Sequence, residues 1–254
     1  MKIRVLGCSG GIGTGLRTTS LLVGDDILVD AGTGVGDLTM EALIAIDHIF
    51  VTHSHLDHIA CIPFLLDTVI GLRAKPVTIH ATVETLAALK QHIFNWKIWP
   101  DFNAIPNKNT PFLQYNEIAL GQIITINKMQ ITALPAHHVV PAVGYHIDSG
   151  KSSLVFSGDT THCDALWVAV NKIHNLKYLL IETAFSNSEI DLAKLSKHLC
   201  PSMLADELKK LSIATQIYIT HLKPGESSMI MQEIAESSNA YTCTALQNNQ
   251  EFIL

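Results

Sequence analysis

Apolar and polar positions along the chain fall into a repeating rhythm of short strand-like runs and longer helical stretches. Lys2 to Leu6 reads as a strand, and Thr19 to Val23 with Ile27 to Asp30 as a hairpin closed by Gly24-Asp25-Asp26. A helix over Leu38 to Ile46, a strand in the apolar run Ile46 to Val51 and a helix over Ile59 to Val69 follow. Then come a strand at Val77 to His80, a helix at Val83 to His92 and a block of strands from Phe112 to Ile147. After Gly150 the rhythm resumes: strand Ser153 to Phe156, helix Ala165 to Ile173, strand Tyr178 to Ile181, helix Ser202 to Leu211, strand Gln216 to Ile219 and a helix from Ser227. Strands with helices between them predict mixed sheets covered by helices, an α/β arrangement. No linker, low-complexity tract or solenoid-length repeat interrupts the pattern, so residues 1–254 read as one domain built from two sheet halves.

Polar residues recur where these strands end. Ile46 to Val51 runs into Thr52-His53-Ser54-His55-Leu56-Asp57-His58, three imidazoles and a carboxylate within six positions. On an extended backbone His53 and His55 point the same way, while Asp57 and His58, at the start of the next helix, can turn to a neighbouring point. That supplies ligands for two metal ions side by side, and imidazole with carboxylate suits zinc, manganese or iron. A capped turn would need one such residue and not four. Further along, Ile131 to Leu134 ends at His137-His138, Leu154 to Phe156 at Asp159, and Ile217 to Thr220 at His221. In open α/β sheets ligands gather beyond one strand edge, so four strand ends delivering His and Asp point to one site. Asp30, at the end of its strand before a glycine turn, is either a cap or a group that orients a ligand histidine.

Composition narrows the function classes. The 254 residues are 48% hydrophobic and 16% charged, ordinary for an enzyme with a sizeable core. A net charge of −6 argues against a broad grip on nucleic acid, though metal ions can still hold a small anion. Five scattered cysteines indicate neither a disulfide framework nor a thiolate metal site. The start of the chain offers no apolar stretch suited to a signal peptide or membrane span, so cytoplasm is the simplest expectation. The glycines from Gly7 to Gly15 lack a Gly-Lys-Ser/Thr ending, and read as a backbone turn that must pass close to something rather than as a nucleotide loop.

His53-x-His55-x-Asp57-His58, preceded by Asp30 and followed by His138, Asp159 and His221, resembles the metallo-β-lactamase superfamily over most of the chain. The resemblance implies a four-layer αββα sandwich with a dinuclear metal centre along one edge, most simply two zinc ions. It implies His53, His55 and His138 on one metal, Asp57, His58 and His221 on the other, and Asp159 between them; His138 fits the family's third motif better than His137. Within the superfamily the chain is similar to class II cyclic-nucleotide phosphodiesterases, through His53 to Ile59, Gly10-Gly11, His92-Ile93-Phe94-Asn95, Ile98-Trp99-Pro100 and Ile219 to Pro224. It also echoes the transfer-RNA 3′-end nucleases in Glu182-Thr183-Ala184 and Lys197-His198-Leu199, where a Glu and a His are thought to deliver a proton.

The expected activity is therefore hydrolysis of 3′,5′-cyclic nucleotides to 5′-monophosphates. Two ions ~3.5–4 Å apart lower the pKa of a shared water toward 7 and neutralise phosphoryl charge. Asp57, His198 and Glu182 are the candidate catalytic residues, His198 as general acid or, alternatively, a helix cap. Phe94, Asn95, Trp96 and Trp99 are candidates for stacking on and hydrogen-bonding a base, against simple packing of a helix end. The partner is a small cyclic nucleotide, with nucleic acid and membrane disfavoured and a homodimer left open. Rival readings are an RNA 3′-end nuclease, which would want a basic arm, and a thioester or lactam hydrolase sharing the metals.

Overall fold

The computed structural model describes residues 1–237 and 241–254. Two seven-stranded mixed sheets face each other. The first takes β1 (Lys2–Gly7), β2 (Ser20–Val23), β3 (Ile27–Val29), β4 (His48–Phe50), β5 (Val77–Ala81), β6 (Leu113–Glu117) and β14 (Glu251–Ile253) in the order β14-β1-β2-β3-β4-β5-β6. The second takes β7 (Ile123–Ile126), β8 (Met129–Pro135), β9 (Val143–Asp148), β10 (Ser153–Phe156), β11 (Leu176–Glu182), β12 (Gln216–Thr220) and β13 (Cys243–Ala245) in the order β13-β12-β11-β10-β9-β8-β7. Helices α1 (Met40–Ala45), α2 (Leu56–Ile59), α3 (Cys61–Val69) and α4 (Val83–Ala88) belong to the first half, and α5 (Asp164–Val170), α6 (Ile190–Ser196), α7 (Pro201–Leu208) and α8 (Ser227–Ser237) to the second. This is the expected αββα sandwich.

Side-chain alternation along central strands feeds two cores at once. Phe50 faces the inter-sheet core with Val5, Leu21, Tyr145 and Phe156, while its neighbour Ile49 packs on the α1/α3 side. Across the sandwich Leu180 faces inward, and Leu179 and Ile181 pack toward α5 and α7. Strands covered on both faces read as near-continuous apolar runs, and for that reason they were legible in the sequence.

The departures have local causes. The helix expected over Ile59 to Val69 is two, α2 and α3. Pro63 cannot donate, its ring clashes with the carbonyl four residues back, and Cys61 N–H instead bonds the Ala31 carbonyl at 2.9 Å. The helix from Val83 keeps α-geometry only to Ala88 and widens into a π-type turn over Leu89–Ile93. Helix α6 and edge strands β13 and β14 are additions; a three-residue strand such as β14 has no internal signal and exists by pairing Phe252 with Ile3.

One partly buried polar chain, with His80 at its buried centre, lies away from the site. Asn116 donates to His80 Nδ1 at 2.8 Å, and His80 Nε2 donates in turn to His48 Nδ1 at 3.0 Å. Burial, reinforced by His48, lowers the His80 pKa to about 4. The folded pKa lies below the unfolded value of about 6.5, so the unfolded chain binds more protons between these limits. This contribution to stability is therefore full above pH ~6.5 and lost as pH falls toward 4, an effect of about 3 kcal/mol. Urea midpoints at pH 7 and 5 should converge in His80→Phe relative to the parent; an unchanged pH slope would rule the assignment out.

Candidate metal centre

Six strands deliver their C-terminal ends to one edge of the sandwich. Asp30 follows β3, the His53–His58 segment follows β4, His138 follows β8, Asp159 follows β10, Glu182 closes β11 and His221 follows β12. The two sheets are stitched together there. Val143 N–H bonds the Thr52 carbonyl at 3.0 Å, Tyr145 Oη donates to the Val51 carbonyl at 2.8 Å, and His221 N–H bonds the Cys8 carbonyl at 2.8 Å.

The structure brings the seven expected ligand residues into two touching groups: His53, His55, His138 and Asp159, and Asp57, His58, Asp159 and His221, the donor atoms of each within 4.8 Å of one another. Four donors at ~2.1 Å around a tetrahedral ion lie ~3.4 Å apart. The observed spacings bracket that value. His138 Nε2 stands 3.2 Å from His55 Nδ1, His53 Nε2 stands 3.6 Å from Asp159 Oδ2, and His58 Nε2 stands 3.3 Å from the same oxygen. His221 Nδ1 stands 3.3 Å from Asp159 Oδ1, and Asp57 Oδ2 is 3.7 Å from Nε2 of both His58 and His221. His53 Nε2, His58 Nε2 and His221 Nδ1 are buried without a hydrogen-bond partner. Buried ring nitrogens are rarely left so, and bound cations would satisfy them. The residues thus fit a pair of divalent ions.

The opposite ring nitrogens are tied down. Asp30, fully buried, accepts from His58 Nδ1 at 2.7 Å and from Thr52 N–H at 2.8 Å, while Thr52 Oγ1 bridges Asp30 Oδ2 (2.9 Å) and His53 Nδ1 (3.0 Å). His138 Nδ1 donates to the Lys197 carbonyl at 3.1 Å. Such bonds fix tautomer and ring direction, presenting Nε2 to a ligand. Asp30 carries two alternatives, cap or orienter of a histidine, and its contacts are with the His58 ring and Thr52; Thr52 and the Lys197 carbonyl add partners that the motif does not include. Thr52 sits between strand end and cluster, its only sequence signal.

Electrostatics suit a cation pair. Burial lowers the pKa of His53, and takes His138 and His221 to about 4, so these rings are held neutral, the form that binds metal. Burial also disfavours charge on His58, but Asp159 and Asp30 outweigh it and raise its pKa. Asp30 (φ 57°), Lys197 (φ 53°) and His221 (φ 65°) occupy the left-handed region, which costs a non-glycine residue ~1 kcal/mol or more. All three turn the chain at this edge.

The glycine turn does pass close to something. A Cβ on Gly10 would fall on the His221 carbonyl oxygen and 2.9 Å from its ring Cδ2. Gly10→Ala should push His221 aside and cost ~10²-fold in turnover, since a displacement near 1 Å has that effect. Metal analysis should show less than two ions per chain; full loading with unaltered turnover would contradict this.

Beside His138 and His221 lies a second pair. His198 Nδ1 donates to Glu182 Oε1 at 2.8 Å, and Glu182 also accepts Thr160 N–H at 3.0 Å. The His198 ring stacks on His221 with centroids 5.1 Å apart and 20° between planes. Burial lowers its pKa, but the Glu182 carboxylate outweighs this and raises it. Histidine His137, by contrast, is exposed, with Nδ1 on the His162 carbonyl at 3.3 Å.

The aromatic segment carries two readings, base contact and packing of the helix end, and most of its side chains are engaged in local contacts. Phe94 is 3% exposed and packs with Phe102, so it has no open face for a base. The Asn95 amide is spent on the turn, donating to the Gln91 carbonyl and accepting from Lys97 and Ile98 N–H. Trp99 packs edge-on against Phe64, and Trp96 is 65% exposed. Local structure at the helix end takes up three of the four candidates, Phe94, Asn95 and Trp99.

A two-sheet αββα sandwich with paired His/Asp clusters along one edge defines a class of metal-binding hydrolase folds. A model for the beta-lactamase superfamily domain matches residues 25–240, and the chain belongs to that superfamily, in its metallo branch. It is similar to ribonuclease Z of Haloarcula marismortui, 33% identical over 156 residues, 58% of this chain and 47% of that protein. The chain thus aligns with about half the length of that relative. It is also similar to a probable 3′,5′-cyclic-nucleotide phosphodiesterase of Yersinia pestis, 25% identical over 88% of this chain and 78% of that one. Unliganded yeast PDE1 shares the fold, with a TM-score of 0.82, 20% identity and coverage of 100% and 99% of the two chains. Among the described residues no helix is long and apolar enough to cross a membrane.

Proposed function

We propose that this protein hydrolyses 3′,5′-cyclic nucleotides to 5′-monophosphates at the metal centre. The observation that carries the reading is extent: similarity to the probable cyclic-nucleotide phosphodiesterase runs through 88% of the chain, whereas the ribonuclease Z match runs through 58%.

Two bound divalent ions, zinc with manganese or iron as alternatives, would supply an acidified water and charge neutralisation at the phosphoryl oxygens. His53, His55, His138 and Asp159 would hold one, and Asp57, His58, His221 and Asp159 the other. The residues then divide the proton work. Asp57, whose side chain is 31% exposed against 3% for Asp159, is the carboxylate of the cluster open to an entering water and is assigned to take its proton. In-line attack on phosphorus breaks the bond to the 3′ oxygen, a poor leaving group that needs a proton. His198, with Nδ1 fixed by Glu182, presents Nε2 for that transfer.

A second reading, an RNA 3′-end nuclease, draws on the 33% identity to ribonuclease Z. Against it stands the charge: Lys and Arg number 17 against 23 Asp and Glu, a net −6, where a grip on RNA phosphates needs an excess of cations. The deciding experiment assays metal-loaded protein on cyclic AMP, cyclic GMP, bis(p-nitrophenyl) phosphate and a transfer-RNA precursor. Turnover of a cyclic nucleotide with the precursor intact is expected; cleavage of the precursor without cyclic-nucleotide turnover would replace this proposal with the second reading.

A further inference from the structure

A cavity of about 620 Å³ opens beside the metal centre, over the ends of β5 and β6, and His138 forms part of its wall. It is bounded by the start of α4, by the turn after β6 and by the β8–β9 loop. Its apolar surfaces come from Val83, Leu120, Val139 and Pro141, of which Val83, Leu120 and Val139 are exposed large hydrophobic side chains. The charged lining consists of two exposed carboxylates, Glu84 and Glu117, and among the described lining residues there is no lysine or arginine.

This chemistry selects its occupant. Apolar walls favour a flat, uncharged ring, and carboxylates without a cation repel a further phosphate while accepting N–H donors. The position matters equally, because His138 belongs both to the cavity wall and to a donor cluster, so a group held here lies beside whatever the metal centre binds. Glu117 ends β6 in register opposite Ala81, which fixes its backbone position on the cavity wall while its exposed side chain is free to turn toward an occupant. We infer that this cavity is a nucleobase subsite in which Glu117 selects guanine over adenine, an inference that rests on the cyclic-nucleotide reading above. The Watson–Crick edge of guanine carries two adjacent donors, N1–H and the N2 amino group, which a carboxylate accepts in parallel. Adenine offers one donor beside the N1 lone pair, which faces the carboxylate with like polarity. Glu84 adds negative charge at the same wall and disfavours an extended phosphodiester chain.

The test is calorimetric titration of the metal-loaded protein with guanosine and with adenosine, neither of which carries phosphate. The parent should bind guanosine at least ~10-fold more tightly, the usual worth of one bidentate base contact. Glu117→Gln should erase that preference with metal content retained, and Trp96→Ala should leave it in place. Equal binding of the two nucleosides, binding of neither, a preference that survives Glu117→Gln, or one lost in Trp96→Ala would each overturn the subsite. The outcome is separable from the activity: guanosine bound through Glu117 by a protein that turns over no cyclic nucleotide would sink the phosphodiesterase reading and leave the subsite standing.

Discussion

Replacing Asp159 by alanine is expected to abolish the metal pair and lower turnover by at least ~10³-fold, since metal assistance is worth several kcal/mol and each 1.36 kcal/mol is a decade of rate. Among the described residues Asp159 is the one that belongs to both donor groups. Burial disfavours its charge, yet the surrounding His221, His58 and His53 outweigh that and hold its carboxyl well below the usual range. Removing it takes one donor from each ion and the anion that the imidazoles share. Metal analysis should fall from two ions per chain, and the parent protein in chelator should lose activity likewise, with recovery on adding zinc or manganese. Purified metal-free protein that works at full rate would end the dinuclear reading.

His198→Ala should cost ~10²- to 10⁴-fold in hydrolysis of a cyclic nucleotide with metal content intact, the range for a general acid. The loss should be far smaller on bis(p-nitrophenyl) phosphate, because p-nitrophenolate departs without a proton; a merely structural role would lower both rates alike. The pH profile gives a second readout. An acid must be protonated, so rate falls as pH rises through its pKa, and Glu182 raises that pKa against the opposing effect of burial. Glu182→Gln should therefore move the alkaline limb to lower pH. An unmoved limb, or equal losses on both substrates, would exclude His198 as the proton donor.

Much of the candidate centre was legible because its ligands are crowded locally. His53, His55, Asp57 and His58 lie within six positions, and the remaining donors stand at strand ends that the apolar runs mark out. What spacing could not resolve was decided by packing. Of the adjacent pair His137 and His138, the second turns inward, where Lys197 in left-handed conformation offers its carbonyl across 59 residues of chain. For Phe94 the sequence left base contact and helix-end packing open, and its ring packs with Phe102 just after the wide turn over Leu89–Ile93. Edge strands β13 and β14 were illegible for the converse reason: each is three residues long and defined by its partner.

By itself the sequence determined the kind of donor atoms available and the order of strands and helices, since both are properties of neighbouring residues and of their period. The tertiary structure decided which donors meet, which ring nitrogen each histidine presents and where a cavity opens beside them. Those depend on contacts between β3, β4, β8, β10 and β12, brought together only when the two sheets bury their shared core.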